Sequence, residues 1–110
     1  MSFPDDFSRA KLLALDVKHC NPELLREAVK WARLHIPAVP DKRNEDVYQM
    51  LERMGNRHRG ADSFAAAAEA FETALLWCDE SDMLFVALCN SHLRRMLAAT
   101  AHYQGHRQRP

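Results

Sequence analysis

Cysteine and histidine are the residues of this 110-residue chain best suited to hold a metal. His19-Cys20 and Cys89-x-x-His92 offer two thiols and two imidazoles, a ligand set that zinc accepts in a tetrahedron. Cys89 and His92 share a helix face, but His19 and Cys20 are adjacent and their side chains diverge. A buried cysteine also serves commonly as a small hydrophobe. His102-x-x-x-His106 has the i, i+4 spacing of a metal-binding pair, yet Gly105 sits between the two and no carboxylate is near in sequence. No metal ligands are therefore expected.

The acids Glu69, Glu72, Asp79 and Asp82 are similar to the paired carboxylates of helical Mg-dependent nucleotide hydrolases, which must converge on one ion. Here Glu69 and Glu72 flank an apolar helix face and are expected in solvent. There is no Gly-rich phosphate loop, no strained nucleophile turn and no Ser/His/Asp set. No catalytic residue, no cofactor and no enzymatic activity are expected.

Lys plus Arg number 15 and Asp plus Glu number 15, so the formal charge is zero. That balance disfavours both a basic nucleic-acid binder and an acidic nucleic-acid mimic. A helix-turn-helix reading of 45–78 would use 64–78 as the recognition helix, which carries two glutamates and no Lys or Arg and would repel phosphate. The charge is segregated locally. Residues 63–82 hold Glu69, Glu72, Asp79, Glu80 and Asp82 with no base, and residues 83–110 hold Arg94, Arg95, Arg107 and Arg109 with no acid. Such a pattern steers a charged partner or orients two copies of the chain.

Apolar residues make up 47%, while Gly (3) and Pro (5) are scarce, which favours a folded helical domain over a turn-rich β sandwich. The length allows one domain, expected over 1–103 with a flexible tail at 104–110. No apolar run reaches 18 residues and the first residues lack a signal-peptide pattern. Three cysteines, Cys20, Cys78 and Cys89, without C-x-x-C spacing point to a reducing compartment, so a cytoplasmic location is expected.

Five helices are predicted. The first spans about 5–18, with Leu12, Leu13, Leu15 and Val17 as its apolar surface. The second runs about 22–35, with Asn21 as cap, Pro22 in the first turn and Leu25, Ala28, Val29, Ala32 and Ile36 at helical spacing. Pro37 and Pro40 end it. Asn44 is expected to cap the third, whose Val47, Leu51, Met54 and His58 share one face. Ser63 or Asp62 caps the fourth, with Phe64, Ala67, Ala68, Phe71, Ala74, Leu75 and Cys78 spaced by threes and fours. The fifth runs from Met83 to about Ala101 and has two apolar stripes, Phe85/Leu88/Cys89/His92/Met96 and Val86/Leu93/Leu97. Trp31 and Trp77 lie off the main stripes of their helices and are both expected to be partly exposed.

Over residues 51–93 the chain resembles a tetratricopeptide repeat, a 34-residue helical hairpin, in about one and a half degenerate copies. Met54-Gly55 stands at the motif's Leu-Gly, His58 at its first-helix Tyr, Phe64 at the aromatic opening the second helix, and Ala67, Phe71 and Ala74 at its Ala, Phe and Ala. Asp79 replaces the closing Pro. Phe85, Leu88, Cys89 and His92 then restart the first-helix pattern. The resemblance implies close antiparallel helices at Gly55, Ala67 and Ala74, and a binding rather than a catalytic role.

The expected fold is all-α, a compact bundle of about five antiparallel helices with a TPR-like hairpin. The expected function is that of a non-catalytic adaptor or regulator that sequesters a partner protein through an exposed apolar helix face. In size and helical make-up the chain is similar to small TPR-like chaperones of bacterial type III secretion, and small helical antiactivators of transcription factors offer a comparable setting. The contact candidates are Trp31, Trp77, Val86, Leu93, Leu97 and Arg94. Another protein is the expected partner and a homodimer the expected assembly; neither membrane nor nucleic acid is expected. A structural homodimer without further partner, or a metal-dependent sensor or enzyme, are the alternatives.

Overall fold

A computed structural model describes residues 21–40, 45–60 and 63–107, with side chains through 102, and the described residues are all-helical. Helix α1 is Pro22–Leu34, α2 is Glu45–Gly60, α3 is Phe64–Trp77 and α4 is Met83–Arg107. The helix predicted over 5–18, the Asn44 and Asp62 caps, His19 and Cys20 lie outside the described residues.

Local chemistry sets the ends. Asn21 caps α1 by accepting a hydrogen bond from the Glu23 backbone N–H at 2.9 Å, and Pro22 fills a position that needs no donor. Glu23 lies in the first turn and Arg33 in the last, each complementing the helix dipole. Glu45 and Asp46 open α2, while Arg57, His58 and Arg59 close it. Ser63 stands at the N-cap of α3 but its side chain makes no capping bond there. The turn into α4 is closed by Asp79, whose side chain accepts from Ser81 N–H and whose carbonyl accepts from Asp82 N–H, both at 2.9 Å. Helix α4 runs on to Arg107, past the end expected near Ala101.

Helix α3 is the centre. Ala66, Ala67, Ala68, Ala70, Phe71, Thr73, Ala74 and Trp77 are all buried, so it is enclosed on several sides rather than along one stripe. Helices α2 and α4 both run antiparallel to α3 and therefore parallel to each other. Tyr48 near the start of α2 meets Phe85 near the start of α4, with ring centroids 4.5 Å apart. The Tyr48 hydroxyl donates to the Asp82 carboxylate at 2.9 Å, which ties the two starts together. Helix α1 runs parallel to α3, bound by Arg33 Nε donating to Thr73 Oγ1 at 2.9 Å and by Trp77 Nε1 donating to the Ala32 carbonyl at 2.8 Å.

Small residues make the α2–α3 approach close. Gly55 is buried beneath the Phe71 ring, and Phe71 is itself fully buried with the His92 ring stacked at 4.9 Å on it. Leu25, Ala28, Val29 and Ala32 of α1, and Leu51, Met54 and His58 of α2, are buried as their spacing predicts.

Candidate functional site

Helix α4 carries large apolar side chains on more than one side. Its inner side follows the predicted stripe through Phe85, Cys89, His92 and Met96, with the last three buried. A flank runs through Met83, Val86, Asn90, Leu93 and Leu97, in steps of three and four. Val86 and Leu93 are partly buried at the edge of the core, whereas Met83 is 76% and Leu97 55% exposed. Arg94 is exposed beside this flank. A third line, Leu84, Leu88, Ser91 and Arg95, lies on the edge of α4 across from the Met83–Leu97 flank, with Leu84 87% and Leu88 44% exposed.

The contact candidates thus separate into two groups. Val86, Leu93, Leu97 and Arg94 gather on the α4 flank. Trp31 and Trp77 meet each other between α1 and α3, their rings stacked at 5.9 Å, and Trp31 also stacks on His35 at 4.7 Å. The expectation that both tryptophans are partly exposed holds for Trp31 alone. Trp77 is buried because its indole N–H is drawn to the Ala32 carbonyl at the C-terminal end of α1. Spacing along one stripe missed this, since α3 buries more than one side. It also missed Leu84, which belongs to neither predicted stripe, and placed Leu88 inward; the absence of Leu84 from both stripes was the available signal.

Behind the flank lies a polar chain. Arg59 Nη1 stands 3.5 Å from His92 Nδ1, and Glu52 Oε1 stands 3.5 Å from His92 Nε2. A guanidinium only donates, so Nδ1 carries the lone pair and the Nε2–H faces the carboxylate. Burial lowers the His92 pKa below its ordinary value; Glu52 pulls the other way and is outweighed by burial together with Arg59 and Arg95. Glu52 also accepts from Asn56 Nδ2 at 2.6 Å. This chain links α2 to α4 and holds the imidazole against Phe71.

The described residues include most of the carboxylates and thiols weighed for chemistry. Among them, no group of three or more His, Cys, Asp or Glu is placed to hold a metal ion. The carboxylates weighed for magnesium are dispersed: Glu72 faces Arg33 at 3.5 Å, Asp82 takes the Tyr48 hydroxyl, and Glu69 is exposed. Cys78 and Cys89 are buried free thiols. Burial and neighbouring acids push Cys78 up to about 11 and Cys89 up to about 12, the opposite of an activated nucleophile. Among the described residues, no helix is long and apolar enough to cross a membrane. The chain matches no family model, no curated protein and no solved structure.

Proposed function

We propose that the chain is a non-catalytic protein-binding adaptor or regulator that sequesters a partner by receiving an apolar helix along the α4 flank. One observation carries this reading: Met83 and Leu97 stand exposed at the two ends of a line whose middle, Val86 and Leu93, is half-buried against the core. Steps of three and four along that line are the spacing with which one helix accepts another. Arg94 beside it selects a partner segment with an acid at its edge.

The TPR-like reading supports the same role. Parallel α1 and α3 in one layer, with parallel α2 and α4 in the other, is the alternation expected of stacked hairpins. Gly55 under Phe71 gives the close crossing that the motif needs. In that reading α4 opens a hairpin whose second helix is missing among the described residues, and the partner's helix takes its place. The buried free thiols suit a reducing, cytoplasmic setting.

The test is capture of partners from the source cell, followed by affinity measurement with the purified partner. Leu97→Asp and Arg94→Glu should each weaken binding about tenfold or more while leaving the thermal unfolding midpoint in place. Undiminished affinity in a folded Leu97→Asp/Arg94→Glu double variant would refute the flank as the contact.

A further inference from the structure

The third line of α4 differs from the flank and carries its own pattern. Leu84 and Leu88 occupy successive turns of one side, followed on that side by Ser91 and Arg95. Among the described residues, Leu84 is the most exposed large hydrophobic, at 87%. The acidic turn Asp79-Glu80-Ser81-Asp82 precedes this apolar segment, and Arg94 and Arg95 follow it. Glu80, Arg94 and Arg95 are exposed, and neither arginine has a carboxylate partner among the described residues.

The two ends are opposite in sign and nearly equidistant from Leu88. Arg95 lies seven positions after it, about 10 Å along the helix, and Glu80 lies eight positions before it in the turn that precedes the helix. We infer that a second copy of this chain covers the line, with the two α4 helices crossing antiparallel about a two-fold axis near Leu88. In that arrangement Arg95 of one protomer lies over Glu80 in the partner's acidic turn, and the reverse contact follows from symmetry. Leu84 and Leu88 are enclosed between the two pairs of charged ends. A parallel arrangement sets arginine against arginine and acid against acid, which costs free energy. Ala87 and Ser91 beside the crossing are small enough for the helices to approach closely. The surface is self-complementary in charge, so a copy of this chain fits it better than a partner of single sign.

This inference uses a different side of α4 from the partner flank, so the two fail separately. The full chain is weighed in solution by sedimentation and light scattering at micromolar concentrations. A dimer of twice 12.6 kDa is expected. Leu84→Asp/Leu88→Asp should yield a folded monomer with unchanged helical circular dichroism. Arg95→Glu and Glu80→Arg should each raise the dimer dissociation constant about tenfold, and their combination should restore most of the loss, the mark of antiparallel pairing. Leu88→Cys should form an intermolecular disulfide on mild oxidation, and Leu97→Cys should not. A wild-type monomer at 100 μM or more, a dimer that survives Leu84→Asp/Leu88→Asp, or charge reversals that fail to compensate would each overturn the proposal. Loss of partner capture in Leu97→Asp with the dimer intact would leave this inference standing and bear on the flank alone.

Discussion

A methyl group added at Gly55 lands 2.8 Å from Phe71 Cε1, well inside a normal carbon–carbon contact. Alanine gains about 1 kcal/mol over glycine in helix propensity, but a clash with a fully buried ring outweighs that. Gly55→Ala should destabilise the fold by about 1–3 kcal/mol, and Phe71→Ala by about 3–5 kcal/mol. The double variant should cost less than the sum, because truncating the ring makes room for the new methyl. Urea unfolding of the four proteins measures this directly. His92 gives a second residue-scale expectation. Its folded pKa is lowered from 6.5, so above that value both states are neutral and it adds no pH dependence. As pH falls through 6.5 the unfolded chain binds a proton that the fold resists, and stability declines until the folded pKa is reached. Denaturation midpoints between pH 7.5 and 5 should therefore fall less steeply in His92→Gln than in the wild type. Phe71 was legible as a core residue from its spacing and from the repeat resemblance. The Arg59–His92–Glu52 chain was not, since it joins residues from two helices whose relative register no local pattern states.

Helix ends differ in how far their sequence signals were realised. Asn21 followed by Pro22 reads as a helix start and forms the capping bond. Ser63 reads equally well as a cap, yet its side chain makes no such bond. Asn21→Ala should accordingly lower stability by about 1 kcal/mol. Ser63→Ala should change it by less than about 0.5 kcal/mol, the usual range away from specific contacts. Thermal unfolding of the two variants checks the contrast. The stripes of α1 and α2 were readable in their central residues, but Ile36 falls past the end of α1 and is 40% exposed, and α2 buries a wider arc than one stripe, taking in Tyr48 and Met50. Helix α3 buries several, so a one-stripe reading located Phe71 and Ala74 but left Trp77 outside. Helix α4 was read as apolar on two sides; the third line takes Leu88 from the first of those stripes and adds Leu84, whose absence from both was the one signal of it in the sequence. The same helix continues through Gly105, where a glycine costs only about 1 kcal/mol against alanine and does not by itself end a helix.

At the scale of the molecule, zero net charge concealed a strong division between an acidic stretch and an arginine-bearing one. That division was legible in the chain, but its meaning required knowing that an exposed leucine pair lies between the two. The all-helical character was also legible, because composition and three-to-four spacing agree. The alanines of α3 carry one more implication. Ala66, Ala67, Ala68, Ala70 and Ala74 have no side-chain rotamers to freeze, so α3, which packs against each of the other described helices, is ordered at low entropic cost. It is therefore the natural nucleus on which the remaining helices condense, and its backbone amides should be the last to trade hydrogen for deuterium, outlasting those of α4 by an order of magnitude or more in time.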